Sequence, residues 1–193
     1  MTESKHQPGP HGEKISNPAN PDQQAGPEGF PPCGDFDMRI ASDGTWFYRG
    51  TPIGRKALVK LFSTVIKRDD HGDFWLETPV EKGRIQVDDA PFVAVELAVI
   101  GSGKDQVLRF RSNVDDWVEA GPEHPIRVAT RPDSGEPRPY ILVRDRLEAL
   151  ILRSVFYEMV ERSEERRPDG ERGDAIELGL WSNGIFFPLG SPV

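Results

Sequence analysis

Two short motifs in the chain resemble parts of phosphate-handling sites, and each lacks residues that the chemistry requires. Ser42-Asp43-Gly44-Thr45 resembles the motif of aspartate-nucleophile phosphatases, but Ala41 stands at the position of the nucleophile. Without a carboxylate there, no phosphoaspartate can form. Gly101-Ser102-Gly103-Lys104 resembles the end of a P-loop, but Asp105 replaces the Ser or Thr that binds magnesium. We therefore predict a tight turn at each of the two motifs.

The residue types that hold metals or perform nucleophilic catalysis are few and poorly spaced. The run Asp69-Asp70-His71-Gly72-Asp73 lacks the alternate acids and distant glutamate of an EF-hand, so it predicts a solvated turn. Cys33 is the only cysteine, which excludes an intramolecular disulfide and a four-cysteine zinc site. No Gly-x-Ser-x-Gly elbow marks a serine nucleophile. We predict no metal, no cofactor and no catalytic residue.

Several cations stand where an anion can be held. Arg55 and Lys56 lie in the first turn of a predicted helix, where positive charge opposes the macrodipole unless an anion is bound. Lys82 and Arg84 lie at the end of the segment 77–84, which joins two predicted units; loops between units often line pockets. The predicted ligand-binding residues are Arg55, Lys56, Thr78, Lys82, Arg84 and Asp88, with Thr78 donating a hydrogen bond. The alternative is that Arg55 and Lys56 are solvated or paired with acids such as Asp88 or Asp89.

Length and charge limit the partners of the chain. Its 193 residues carry 32 acidic and 24 basic side chains, a formal net charge of −8. Such a surface repels nucleic-acid backbones and anionic lipids, so we expect no nucleic-acid polymer and no membrane as partners. No apolar run approaches the roughly 18 to 20 residues of a membrane span, and the N-terminus lacks the layout of a signal peptide. We predict a soluble cytoplasmic protein.

The composition divides the chain into a tail and a body. Residues 1–34 hold seven prolines and five glycines and few bulky apolar residues, so their burial cannot offset the entropy of ordering them. We predict a disordered tail there. In residues 35–80, apolar and polar residues first alternate as in a strand and then recur at helical spacing, which predicts a small α+β domain. Residues 81–193 are rich in strand patterns and predict a second domain that carries a long helix.

The elements of the first domain are a hairpin, a helix and a strand. Residues 36–40 and 45–48 read as strands around the Asp43-Gly44 turn. Thr51 and Pro52 are typical of an N-cap and a first helical position. The helix that follows presents Leu58, Leu61, Phe62 and Val65 on one face and ends near Lys67 and Arg68, before a strand at 74–76.

The second domain is predicted from its strand-like alternation. We expect strands at residues 84–88, 92–100, 106–112, 125–130 and 139–143, and two more near 175–181 and 185–189. Asp145 with Glu148 resembles a capping box, and the apolar positions from Leu147 to Val160 predict one long helix after it.

The sequence also contains an internal repeat. A shift of 140 positions aligns residues 36–53 with 176–193 and matches Ser42, Gly44, Phe47, Gly50 and Pro52 to identical residues. A second shift, of 94 positions, aligns the two predicted helices, for example Leu61-Phe62 with Val155-Phe156. We interpret these matches as duplication, although the two shifts disagree and exclude a simple tandem copy.

Four blocks of residues resemble a known bacterial family. They are the run from Trp46 to Arg55, Leu58-Val-Lys-Leu-Phe-Ser, Leu76-Glu-Thr-Pro-Val-Glu-Lys and Val87-Asp-Asp-Ala-Pro-Phe92. Together these blocks resemble the bacterial family called domain of unknown function 1285. The resemblance covers residues 34–193. It implies a duplicated α+β core whose C-terminal half resembles a pleckstrin-homology barrel, and a small-molecule site for a nucleotide-like ligand between the halves. It implies no established activity.

These observations combine into one fold and three functional hypotheses. The fold is α+β, with a duplicated core of hairpin-helix-strand units and a C-terminal half that forms a partial antiparallel barrel with a long helix. The leading hypothesis is a non-enzymatic ligand-binding or regulatory protein, with a role in signalling and an anionic site between the two domains. The alternative is a protein–protein adaptor that uses the tail or an exposed aromatic residue such as Trp117. A hydrolase is the third hypothesis.

Overall fold

The computed structural model describes residues 34–167 and 176–191. Within these residues the chain is mostly β, with fifteen strands, two α-helices and one short 3-10 turn. The predicted tail lies outside the described residues except for Gly34, which begins the first strand.

Sheet A is six-stranded and is built by the first part of the chain. It contains β1 (Gly34–Ile40), β2 (Trp46–Tyr48), β3 (Thr51–Pro52), β4 (Ile66–Arg68), β5 (Phe74–Glu77) and β6 (Lys82–Val87), in the order β3-β2-β1-β6-β5-β4. All neighbours are antiparallel except β1 and β6, which are parallel. Ile40, Trp46 and Leu76 are buried on its inner face, and α1 (Lys56–Ser63) covers them by stacking Phe62 on Trp46 at 6.2 Å.

Sheet B is also six-stranded. It contains β7 (Phe92–Ile100), β8 (Val107–Ser112), β9 (Trp117–Glu119), β10 (Ile126–Thr130), β11 (Pro137–Arg144) and β12 (Leu147–Ile151), in the order β10-β11-β12-β7-β8-β9. After α2 (Arg153–Glu161) the chain adds sheet C, formed by β13 (Glu164–Arg166), β14 (Glu177–Ser182) and β15 (Ile185–Gly190).

Sheet B curls into a half-barrel that sheet C extends. The turn between β14 and β15 lies on the start of β8, where Asn183 N donates to Gln106 O at 2.9 Å. On the other side β15 approaches β10, and α2 packs against β7 and β14. Leu108, Phe110, Met159 and Phe187 fill the interior and join one continuous core with the inner face of sheet A.

Sheets A and B share a connectivity. Each consists of two antiparallel three-stranded meanders, and in each the first strand of the first meander pairs in parallel with the last strand of the second. The order β3-β2-β1-β6-β5-β4 is thus repeated as β9-β8-β7-β12-β11-β10. This repetition of topology is consistent with the predicted duplicated core.

The hairpins that the shift of 140 aligns are not alike in detail. Five residues separate the paired Ile40 and Trp46, whereas only Asn183 and Gly184 separate the paired Ser182 and Ile185. Asn183 and Gly184 both have positive φ, at 50° and 74°, as the two-residue turn of a hairpin requires. The aligned residues therefore occupy different places in their turns.

The predicted start and end of the first helix are wrong. Thr51 and Pro52 form the edge strand β3 opposite Tyr48 and Phe47, since Arg49 and Gly50 make a two-residue turn with positive φ. The helix begins at Lys56, behind the N-cap residue Arg55, whose side chain accepts no capping hydrogen bond. It ends at Ser63, so the predicted terminal cations Lys67 and Arg68 belong to strand β4.

The predicted long helix after Asp145 is also wrong. Asp145, with φ of 47°, lies in the turn that connects β11 to β12, and Glu148 lies inside β12. A short apolar run such as Leu147–Ile151 has the same composition in a buried strand and in a buried helix. Here it pairs with β11 on one side and β7 on the other, so the helix is confined to Arg153–Glu161.

The change from sheet A to sheet B falls between β6 and β7. The boundary predicted after residue 80 lies inside sheet A, because β6 pairs with both β1 and β5. We therefore define the first unit as residues 34–87 and the second unit as the described residues from 92 onward, with residues 88–91 as the connector between them.

Candidate functional site

The predicted ligand-binding residues lie on two sides of sheet A. Arg55 and Lys56 begin α1, which covers the inner face. In β6, Gly83 and Ile85 are buried on that inner face, so Lys82 and Arg84 project from the outer one. The structure therefore does not bring the four predicted cations together around one ligand.

Most of these residues contact acids or backbone nearby. Lys56 binds Asp115, with Nζ to Oδ1 at 2.8 Å, and Arg84 binds Asp73 at 2.5 Å. Lys82 contacts Glu77 at 3.2 Å, and Asp88 accepts from Arg39 Nε at 2.8 Å.

Thr78 has a local structural contact. Its hydroxyl donates to the carbonyl of Glu81 at 3.0 Å and closes the turn between β5 and β6. Lys56 is paired with an acid, as the alternative has it, but that acid is Asp115. Asp88 and Asp89 bind other arginines.

A cleft does lie between the two units. One wall is the turn after β1, with Ser42 and Asp43, and the other is formed by the β10–β11 hairpin, β12 and the start of α2. The cleft has two chambers, of about 390 Å³ and 460 Å³, and both are lined by Ser42 and Arg138. Each chamber falls within the roughly 300 to 1,000 Å³ that small-molecule sites occupy.

The smaller, polar chamber is built around Asp89 of the connector. Tyr140 Oη donates to Asp89 Oδ1 at 2.7 Å, and Arg138 forms an ion pair with the same carboxylate. Arg138 and Tyr140 are two residues apart on β11, so both side chains leave the same face of the strand. The ion pair is largely shielded, with 14% of the Asp89 side chain and 21% of the Arg138 side chain exposed.

A second ion pair lies next to Tyr140, which lines this chamber. Arg127 on β10 binds Glu148 on β12 through two hydrogen bonds, at 2.5 and 2.6 Å, which raises the pKa of its guanidinium. The guanidinium also lies 4.2 Å from the centre of the Tyr140 ring. The phenol of Tyr140 is thus held at its ring by Arg127 and at its hydroxyl by Asp89.

One cation in the polar chamber is left over. Asp88 and Asp89 are each bound to an arginine, and the hydrogen bond from Arg39 holds the pKa of the Asp88 carboxyl below its usual range. The guanidinium of Arg131, in contrast, has no partner among the described residues. Arg131 is exposed, and it lines the chamber together with Thr130 and Ser42. These groups can hold an anion.

The larger chamber is mainly apolar. Pro139, Leu150 and Phe156 form its buried wall, and Tyr157, which is 54% exposed, stands at its edge. Arg153 at its mouth binds Glu136 at 3.1 Å and lies 5.8 Å from the ring of Tyr157. Asp43 also lines this chamber, and its carboxylate accepts a hydrogen bond from Thr45 N at 2.9 Å.

Of the six residues predicted to bind a ligand, only Asp88 lines this cleft. The Asp-Ala-Pro-Phe block at 89–92 was a signal for Asp89, but no motif marks Arg131 or Arg138. Among the described residues no group of three or more His, Cys, Asp or Glu side chains can hold a metal ion. Neither described helix has the length and apolar content that a membrane crossing needs.

Comparison with known proteins identifies relatives for the whole body. The profile of "Domain of unknown function (DUF1285), N-terminal domain" matches residues 27–90, and that of "Protein of unknown function (DUF1285), C-terminal domain" matches residues 91–189. The two profiles meet within the connector of residues 88–91. No curated protein matches the chain.

Two crystal structures are similar to the chain. A DUF1285 family protein from Silicibacter pomeroyi is 54% identical, with a TM-score of 0.74, and the match covers 83% of this chain and 84% of that one. A DUF1285 family protein from Shewanella baltica is 24% identical, with a TM-score of 0.51 over 64% of this chain and 90% of that one. The second likeness concerns the fold alone.

Proposed function

The chain belongs to the DUF1285 family, and from that premise we propose that it is a non-enzymatic regulatory protein that binds an anionic small molecule between its two units. The observation that carries the proposal is the guanidinium of Arg131, which has no partner among the described residues and lines a cleft of about 390 Å³. An arginine in such a place binds phosphate or carboxylate through two parallel hydrogen bonds.

The placement of the cleft supports a regulatory role. Its walls come from the first unit, through Ser42, and from the second, through Thr130 and Arg131. A ligand that contacts both walls stabilises one relative arrangement of the units, and any other protein that senses this arrangement then responds to the ligand. In this way, binding of the ligand would be transmitted to a partner protein, which is the signalling role that we propose.

The ionisable groups of the cleft favour binding over catalysis. The described residues that line the two chambers include neither histidine nor cysteine. Asp88 and Asp89 are ion-paired, and the pKa of Asp88 is lowered, so that carboxyl carries no proton to donate near neutral pH. Turnover of phosphate or carboxylate esters that is abolished by Asp89→Asn would overturn this part of the proposal.

The test is thermal unfolding of the full chain in the presence of inorganic phosphate, pyrophosphate, acetate and ATP. We expect at least one of these anions to raise the Tm, since a ligand at 100 times its Kd stabilises the folded state by about 2.7 kcal/mol. Arg131→Ala should remove the increase, whereas Lys67→Ala, an exposed cation of β4, should retain it. Arg55→Ala tests the site predicted from sequence, and we expect it also to retain the increase. The absence of any shift, or a shift that survives Arg131→Ala, would contradict the proposal.

A protein partner is the second candidate function, because one surface favours it. A groove of about 710 Å³ lies between β10, β15 and α2 and is lined by apolar residues that include Val128, Leu178 and Leu189. Val160 of α2 borders it and is 40% exposed. If this groove binds a protein, Val160→Asp should abolish capture of that protein while Arg131→Ala leaves capture unchanged.

A further inference from the structure

The two chambers of the cleft differ in chemistry and share a boundary. The polar chamber contains Arg131 and the hydroxyl of Thr130, and the other is lined by Leu150, Leu152 and Phe156. Ser42 and Arg138 line both, so the two chambers are adjacent. A ligand that fills both must have an anionic head and an apolar body.

The apolar chamber offers little to a polar body. Pro137 and Pro139 have no backbone N–H to donate, and Arg153 and Glu136 bind each other at 3.1 Å. Ser42 and Asp43 are the further polar side chains that a nucleobase could reach in this lining, so most of its N–H groups and ring nitrogens would be buried without partners. An alkyl chain or an unsubstituted aryl ring has no such groups, and it gains the free energy of removing apolar surface from water.

We infer, on the basis of the function proposed above, that the ligand is an amphipathic anion: a carboxylate or phosphate head at Arg131 on an apolar body that lies against Phe156 and Tyr157. The head has the chemistry of the probes already named, and the body distinguishes this ligand from a nucleotide. Tyr157 is 54% exposed, so its ring is available to cover the body from the solvent side.

The test is calorimetric titration of the full chain with acetate, butanoate, hexanoate and decanoate, each below its aggregation concentration, and with inorganic phosphate, hexyl phosphate and ATP. Burial of each further methylene should tighten binding roughly fourfold. Decanoate has four more methylenes than hexanoate, and burial of about two of them already makes it bind about tenfold more tightly. Hexyl phosphate should bind more tightly than inorganic phosphate by a comparable factor. The comparison of hexanoate with decanoate and that of inorganic phosphate with hexyl phosphate show whether the site binds a carboxylate head, a phosphate head or either.

Two variants divide the ligand into its parts. Arg131→Ala should weaken all bound anions by a similar factor and leave the dependence on chain length unchanged. Tyr157→Ser should reduce the dependence on chain length and leave acetate and phosphate unaffected. Tyr48→Ser is the matched control, because Tyr48 is 46% exposed on β2 of sheet A and does not line either chamber.

The failures of the two proposals are distinguishable. If phosphate or ATP binds in an Arg131-dependent manner and affinity does not rise with chain length, the proposed function stands and the amphipathic ligand is wrong. If none of the probes binds, both are wrong. If affinity rises with chain length but neither Arg131→Ala nor Tyr157→Ser changes it, the alkyl anions bind elsewhere and the inference is overturned.

Discussion

The hydroxyl of Tyr140 donates to the carboxylate of Asp89 at 2.7 Å, across 51 positions of the sequence. Asp89 belongs to the connector between sheets A and B, and Tyr140 lies in the middle of β11. Together with the ion pair from Arg138, this contact attaches the connector to the wall of the cleft. The carboxylate thus helps both to join the units and to set the shape of the proposed site.

Asp89→Asn should destabilise the protein strongly for a single neutralised side chain. Because Arg138 is only 21% exposed, removal of its counter-charge leaves a shielded cation without compensation. Breaking a fully buried pair costs about 3 to 5 kcal/mol, so we expect about 2 kcal/mol or more here from urea denaturation. Glu158→Gln, which breaks the exposed pair with Arg162 on α2, should cost at most about 1 kcal/mol. Equal costs for the two variants would contradict the structural role of Asp89.

Ser182 and Ser42 are aligned by the internal repeat, but only Ser182 should matter for stability. Ser182 is fully buried; its Oγ donates to Ala120 O at 2.7 Å and accepts from Leu108 N at 2.9 Å. Ser182→Ala leaves Leu108 N without this partner, whereas Ala120 O still accepts from Asn183 Nδ2 at 2.8 Å. A buried unsatisfied group costs about 1 to 3 kcal/mol. Ser42 is exposed, so Ser42→Ala should change the free energy of unfolding by less than about 0.5 kcal/mol. Chemical denaturation of both variants checks the contrast, and a small effect of Ser182→Ala would show that sheet C is not fixed to β8 by this residue.

Much of the strand content could be predicted from local patterns. The predicted strands at 92–100, 106–112 and 185–189 agree with the observed strands within a residue or two, because glycine or proline turns bound the apolar alternation there. The helices were less predictable. The run Leu147–Ile151 is apolar on both faces, so whether it is a strand or a helix is decided by its neighbours β11 and β7 and not by its own period.

The site was harder to predict than the fold. Its central contacts join Asp89 to Arg138 and Tyr140, residues about fifty positions apart that meet only because β11 lies near the connector. Local charge patterns instead indicated Arg55, Lys56, Lys82 and Arg84, and such patterns do not reveal on which side of a sheet a cation will lie. The resemblance to a family implied a site between the halves, and the residues of the site proposed there come from the structure.

Asp115 should make the stability of the protein depend on pH. Hydrogen bonds from Lys56 and Arg111, at 2.8 and 3.0 Å, hold the pKa of its carboxyl below the usual value of about 4. A carboxyl with a lowered pKa in the folded state contributes stability above its unfolded pKa, and this contribution is lost as the pH falls through the folded pKa.

Asp115→Asn tests this dependence with little change to the backbone, since asparagine tolerates the φ of 64° at this position. The Tm of the variant should lie below that of the unsubstituted chain at pH 7, and the difference should shrink as the pH falls below about 4. Thermal unfolding at pH 7, 5, 4 and 3 measures it. A difference that persists unchanged at pH 3 would assign the loss to something other than the charge of Asp115.

Gly83 of β6 should resist substitution because of one ring. A Cβ at this position would come within 2.4 to 2.5 Å of three ring atoms of Phe36, although the backbone of Gly83 has no positive φ. Gly83→Ala must therefore displace the ring from its place between β1 and β6, and forced repacking of this kind costs about 1 to 3 kcal/mol. Gly54→Ala is the matched control, because no atom lies within 4 Å of a Cβ there and its φ is not positive. It should be neutral or slightly stabilising, by up to about 1 kcal/mol.

In a Phe36→Ala background the cost of Gly83→Ala should largely disappear, as a double-mutant cycle of two contacting residues requires. Urea denaturation of the four proteins measures the cycle, and an equal cost of Gly83→Ala in both backgrounds would refute the steric explanation.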